Sequence, residues 1–195
     1  MTVDPTPRRP RAMRRDAIEN REKILRTAAE LMARRGSNVP LTEIAEAAGV
    51  GVGTFYRGFP DRTALIAELQ RRGYGLLLVT LAAIRTDGLR GADAIETYLQ
   101  ECLSLADQLV AMPFRGAEPL TDPAAVDARR RVTKAIEDFL TEGREDGDVQ
   151  ADVSAQDVIV CGTLVGTRLP SLSDWQAAAR RHLDLFMRGV RMPPR

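Results

Sequence analysis

The chain has a single histidine, His182, and only two cysteines, Cys102 and Cys161, in 195 residues. A His-rich metal site and an HExxH motif are therefore absent, and no Ser-His-Asp arrangement is visible. No carboxylate or thiolate spacing suggests a metal either, so neither metal nor cofactor is expected. The two cysteines form no CxxC pattern and have apolar neighbours. They read as buried, reduced thiols of a cytosolic protein, with a disulfide between them as the alternative. Aromatic residues are scarce too: one Trp, three Tyr and five Phe. With few β-branched runs, and with Ala, Leu, Arg and Glu dominant, the composition favours helix over strand. Long apolar runs are missing: the longest, Leu76 to Ile84, is interrupted by Thr80 and falls far short of the roughly 20 residues of a membrane span. No apolar segment follows the basic residues 1–15, so no secretory signal is read and a cytoplasmic protein is expected. A helical enzyme finds no nucleophile–base pair or metal constellation to work with.

What is present is a helical protein with an uneven charge. Its net charge is +1, but residues 1–75 carry an excess of five positive charges and the remainder an excess of four negative ones. A basic front and an acidic back suggest a polyanionic partner for the front. Residues 1–15, with Pro5, Pro7, Pro10 and five arginines, have almost nothing to bury and read as a mobile basic arm.

Residues 16–60 then read as one small helical domain and 61–195 as a larger one. Ile24, Leu25, Ala28, Leu31 and Met32 mark an amphipathic helix from Asp16 to Arg35, stopped by Gly36. A second helix starts near Pro40, with Leu41, Ile44, Ala45 and Ala48 on one face. Gly49 supplies a tight turn, and a short third helix runs from about Gly51 to Arg57. Two short helices meeting at a glycine form the layout of a helix-turn-helix, whose second helix can enter a DNA major groove. Thr54, Tyr56 and Arg57 offer hydroxyls and a guanidinium suited to phosphate oxygens.

Further on, Asp61 reads as the cap of a long fourth helix carrying Leu65, Ile66 and Leu69. Gly73 and Gly75, inside it, suggest close packing of a neighbour or a hinge. A fifth helix is expected from Ala92 to Met112, ended by Pro113. Asp122-Pro123 reads as the cap and first residue of a sixth, running to Glu145. Ser154-x-x-Asp157 and Ser173-x-x-Gln176 read as capping boxes of the last two helices.

The ordered set Arg21 to Leu31, Gly36, Ile44-Ala45, Ala48-Gly49-Val50, Gly53-Thr54-Phe55-Tyr56, Phe59 and Leu65 resembles the N-terminal domain of TetR-family transcriptional regulators, over residues 18–69. The resemblance implies an all-α protein: a three-helix DNA-binding domain, joined by the fourth helix to a C-terminal ligand-binding and dimerisation domain. It implies DNA contacts for Thr42, Thr54, Tyr56 and Arg62, and places Val52, Gly53, Tyr56 and Arg57 toward base edges. Gly58 stands where the family often has a histidine, which removes one phosphate contact. Gly51 and Gly53 leave few polar base readers, and Val52 offers only apolar contact, for instance to a thymine methyl. Arg8 to Arg15 then becomes a candidate for reaching a minor groove.

The implied partners are an operator DNA duplex, a small-molecule effector of unknown identity and a second copy of the chain. Val158 to Gly166 is apolar nearly all round, and Gly162 and Gly166 allow close approach of another helix. Trp175, Ala179, His182 and Phe186 fall on one stripe. Val158, Gly162, Val165, Gly166 and that stripe are the expected dimer interface, with two recognition helices about one DNA turn apart. Tyr74, Leu78, Leu81, Tyr98, Cys102, Met112, Phe114, Phe139 and Leu164 could line a pocket, and ordinary core packing explains each equally well. The expected function is a homodimeric repressor released by a largely apolar ligand; the alternative is a constitutive regulator without one.

Overall fold

The computed structural model describes residues 10–112, 120, 122–167 and 173–193, with side chains from Arg15 onward. The described residues form eight helices: α1 (Pro10–Arg35), α2 (Leu41–Ala47), α3 (Val52–Gly58), α4 (Arg62–Thr86), α5 (Gly91–Ser104), α6 (Pro123–Asp146), α7 (Ala155–Val165) and α8 (Trp175–Val190). Among these residues no strand is found, only an isolated bridge between Val149 and Arg191. No described helix is long and apolar enough to cross a membrane.

Two hydrophobic cores divide the protein, and α4 runs through both. The first gathers Ile24, Leu25, Ala28 and Met32 of α1, Ile44 and Ala45 of α2, Phe55 of α3, and Leu65, Ile66 and Leu69 from the first half of α4. The second takes Tyr74, Leu77, Leu81 and Ile84 from the other half of α4 and packs them with α5–α8. Burial of these apolar faces, at roughly 25 cal/mol per Å², is the main driving force for both. Asp61 caps α4 by accepting from Ala64 N at 2.7 Å, and Asp122 caps α6 with Pro123 in its first turn. Ser154 and Asp157 form the complete capping box of α7.

Three expectations are corrected. The helix placed at Asp16 begins at Pro10, so residues 10–15 of the basic arm belong to α1. Residues 1–9 of that arm, with Arg8, lie outside the described residues. The last helix is capped by Asp174, not Ser173: its carboxylate accepts from Ala177 N at 3.1 Å. Finally, α5 stops at Ser104 rather than Met112. From there the chain runs in tight turns such as Gln108 N to Leu105 O and Met112 N to Leu109 O. The reason is geometric. Leu109, Val110 and Ala111 are all buried, Leu109 in the second core and Val110 and Ala111 in the first. One helical stripe cannot face two cores with consecutive residues.

The segment 109–112 crosses α4 at Gly73, where an added Cβ would meet Met112 Sδ at 3.2 Å and Leu109 Cδ2 at 3.5 Å. Gly73 therefore serves close packing. Gly75 has nothing within 4 Å of such a Cβ. A tighter approach occurs at the far end of α6, where a Cβ on Gly143 would lie 2.4 Å from Val149 Cγ2 and 2.8 Å from Gly91 Cα. The chain end is fastened nearby: Arg191 bridges Asp93 at 2.7 Å and Glu96 at 2.6 Å.

These glycines make opposite predictions. Gly143→Ala forces the α6–α5 crossing apart and lowers stability by about 2–3 kcal/mol. Gly75→Ala has room and gains helix propensity, up to about 1 kcal/mol. Urea unfolding at fixed protein concentration distinguishes them; equal effects would contradict the packing described.

Candidate DNA-binding face and regulatory cavity

The turn between α2 and α3 forms because Gly49 takes φ +65°, a conformation that costs glycine little. Gly49 N and Val50 N then donate back to Glu46 O at 2.9 Å and Ala45 O at 3.0 Å. Phe55 anchors α3: it is fully buried and packs edge-on to Tyr56, with centroids 5.6 Å apart. With Phe55 inward, Val52, Gly53, Tyr56 and Arg57 are all exposed, as is Thr42 on α2, while Thr54 is half-buried. Val52 and Tyr56 keep 49% and 42% of their surface. The α3 face is thus a narrow apolar and hydroxyl strip with Arg57 at its C-terminal edge. Arg57 makes no ion pair among the described residues.

Arg62 takes a different place from the one expected. Its guanidinium donates to the carbonyls of Ser37 and Val39, so it brackets the α1–α2 connection against the start of α4. Two of its five N–H donors are thereby engaged by backbone oxygens. A second such bracket, Arg21, gave no sign of its role in the sequence. It donates to Gly58 O at 3.0 Å, stacks 4.4 Å over the Phe59 ring and pairs with Glu68. Arg21 thus ties α3 to α1 and α4, while Arg62 ties the α1–α2 connection to α4.

A cavity of about 320 Å³ lies in the second core, at the small end of the range for ligand sites. Of the residues expected there, Tyr74, Tyr98, Cys102 and Met112 line it. Leu81 and Phe139 are buried in the core beside it, and Leu78 packs half-buried against that core. Leu164 is 53% exposed on the outside of α7, and Phe114 lies outside the described residues. Residues the sequence reading missed complete the wall: Leu77, Leu109, Val132, Ile159, and the polar Arg129, Thr133, Gln156 and Thr163. The pairs Arg129/Thr133 and Ile159/Thr163 stand four apart, each on one helix face, a spacing that by itself does not distinguish a cavity wall from a solvated face.

The glycines of α7 also move from an expected interface to this wall. Gly162 and Gly166 line the cavity, and a Cβ on Gly162 would lie 3.3 Å from Cys102 Sγ. Close approach does occur at Gly162, but to α5 of the same chain. Val158, Val165 and Ala179 are likewise buried by their own chain. Trp175 and Phe186 remain half-buried, and His182 is exposed.

Most of the wall is uncharged at neutral pH. Burial pushes the Tyr98 hydroxyl well above its ordinary range, and its hydrogen bond to Cys102 acts in the same direction. Burial lifts the thiol of Cys102 to about 12, and that of Cys161 to about 12 as well. Both cysteines are free. Tyr74 is raised by burial, with the nearby Arg129 charge pulling in the opposite direction.

If Arg62 is a bracket, Arg62→Met leaves two carbonyls without their donor. It should lower stability by about 1–3 kcal/mol, read as an earlier thermal or urea transition. An unchanged transition would show that the bracket contributes nothing.

Residues 24–69 match the family described as bacterial regulatory proteins, tetR family, and residues 90–192 match the transcriptional regulator SbtR-like C-terminal domain. The chain is 36% identical over 76 residues to the HTH-type transcriptional regulator SAB2452 of Staphylococcus aureus, a stretch covering 38% of this chain and 41% of that protein. It is 26% identical over 139 residues to the HTH-type transcriptional regulator NfxB of Pseudomonas aeruginosa, 71% of this chain and 74% of that one. A tetR-family regulatory protein from Rhodococcus RHA1 shares the fold, with a TM-score of 0.69 at 20% identity over 90% of this chain and 98% of its own. The TetR regulator SCO0520 from Streptomyces coelicolor superposes with a TM-score of 0.61 at 28% identity, over 89% and 99%. With family matches over both the DNA-binding and the C-terminal regions, the chain belongs to the TetR family of DNA-binding transcriptional regulators.

Proposed function

We propose that this regulator is a cytoplasmic homodimeric repressor that binds a near-palindromic operator and releases it when a small molecule fills the cavity. The observation that carries this reading is the segment 109–112. Leu109 and Met112 form part of the cavity wall, while Val110 and Ala111, between them, pack in the DNA-binding core. A ligand that displaces Leu109 or Met112 pulls on the residues that seat α4 against α1. Whichever dimer spacing the ligand binds more tightly becomes the populated one. The cavity favours this reading over a constitutive regulator, whose core has no need of an opening.

At the DNA, Arg57 and the Tyr56 hydroxyl take phosphate oxygens, and Thr42 and Thr54 add hydroxyl contacts from both helices of the motif. Val52 meets base edges by apolar contact, with Gly53 allowing close approach of the α3 backbone. The dimer surface lies on the outward faces of α7 and α8. Val160, Leu164 and Leu185 are exposed there at 39%, 53% and 51%, beside His182 and the half-buried Trp175 and Phe186. An isologous pairing of these faces buries side chains that are otherwise costly to leave in water.

Selection of bound sequences from random DNA tests the reading. The expected product is a twofold-symmetric site with half-sites about 34–36 Å apart, or a multiple of that. Recovery of asymmetric or unrelated sequences would overturn it. On the selected site, Arg57→Ala should weaken binding and reduce the slope of log affinity against log salt by about 2 per dimer, one phosphate per protomer. An unchanged slope would remove Arg57 from the phosphate contacts. In sedimentation, Leu164→Glu combined with Leu185→Glu should yield monomers with weakened operator binding; a persistent dimer would place the interface elsewhere.

A further inference from the structure

We propose that the cavity selects a small carboxylate: an apolar body held inside and a carboxylate group held at the mouth by Arg129. The proposal rests on reading the cavity as the regulatory ligand site and names the chemistry of its ligand.

Three observations carry it. First, among the described residues Arg129 is the only charged one in the cavity wall, and none of those lining it is Asp or Glu. A cationic ligand would meet this guanidinium with no carboxylate to offset it, and burying an unpaired charge is costly. Second, Arg129 makes no ion pair among the described residues, whereas its neighbours on α6 do. Arg130 is paired with Asp127 at 2.5 Å and Lys134 with Asp138 at 2.9 Å. Arg129 is also exposed while forming part of the wall, which places it at the mouth. Its charge acts on Tyr74, so guanidinium and phenol stand near one another.

Third, other donors in the wall are already engaged. The Thr133 hydroxyl donates to Arg129 O at 3.1 Å and that of Thr163 to Ile159 O at 2.8 Å. Tyr98 is buried, with its hydroxyl beside the Cys102 thiol. Arg129, Tyr74 and Gln156 remain for an acceptor-rich group, and a carboxylate on a guanidinium is the stronger kind of hydrogen bond. The rest of the wall, including Leu77, Leu109 and Ile159, suits an apolar body, and about 320 Å³ keeps that body small.

Calorimetric titration of the full-length protein with octanoate, octanamide and octylammonium, and with 2-naphthoate and 2-naphthamide, tests this. The carboxylate of at least one series should bind about tenfold more tightly than its amide, with the ammonium weakest. Arg129→Gln should bring the carboxylate-to-amide ratio close to one, while Arg130→Gln, off the cavity, preserves it. Thr163→Phe, which fills the cavity, should abolish binding of both; thermal unfolding of each variant reports whether it folds. An amide that equals its carboxylate, or a preference that survives Arg129→Gln, overturns the proposal. If Thr163→Phe still abolishes binding in those cases, the ligand site stands and only its charge selectivity falls. If no probe binds at millimolar concentration, the carboxylate proposal is overturned and the reading of the cavity as a site for small apolar ligands loses its support.

Discussion

The close approach of residues 109–112 to α4 at Gly73 joins the two halves of this protein. A Cβ at Gly73 would crowd Met112 Sδ at 3.2 Å, so the absence of a side chain lets the segment lie against the helix. Once there, its consecutive side chains divide: Leu109 enters the second core, Val110 and Ala111 the first. Interiors are packed too densely to absorb a displacement on one side without passing it on. The helix α4 supplies the other link, since its first half seats the DNA-binding domain and its second half forms part of the cavity wall.

The DNA-binding face is built by the same logic of fixed seats and free tips. Phe55 and Phe59 are buried to within 1%, Arg21 covers the Phe59 ring, and Arg62 holds the preceding connection. Those contacts leave α3 only two freedoms: which side chains stand outward, and how near its backbone comes to a duplex. Outward stand a valine, a tyrosine and an arginine with glycines around them. Such a surface has few polar groups to pair with base edges. On the proposed reading, its affinity is carried mainly by phosphates, and its discrimination by apolar contact and by groove shape.

Much of the fold was legible because helical periodicity, caps and glycine stops are local signals. Ser154/Asp157, Asp122-Pro123 and Gly49 declared themselves without any tertiary contact. The misreadings share one cause: a side chain's partner is not written in its own neighbourhood. Arg62 looks like a free cation until Ser37 and Val39 come round to meet it. Gly162 looks like a contact for another molecule until α5 is seen to lie against it. The turn after Ser104 continues an apolar helical pattern, and only the presence of two cores shows why it must break. In the cavity, Tyr74, Tyr98, Cys102 and Met112 are the expected residues that line the wall. Arg129, Thr133 and Thr163 were missed because polar residues four apart look like any solvated helix face.

Hydrogen exchange on Met112→Ala tests most directly whether the two cores are coupled through this segment. Met112 belongs to the cavity wall, and its Sδ would lie 3.2 Å from a Cβ added to Gly73 of α4. Coupling predicts that shortening this side chain lowers amide protection in the DNA-binding domain as well, over residues 24–32 and 65–69, where Val110 and Ala111 are packed. A loss of protection confined to the helices around the cavity, with those segments unchanged, would contradict the account.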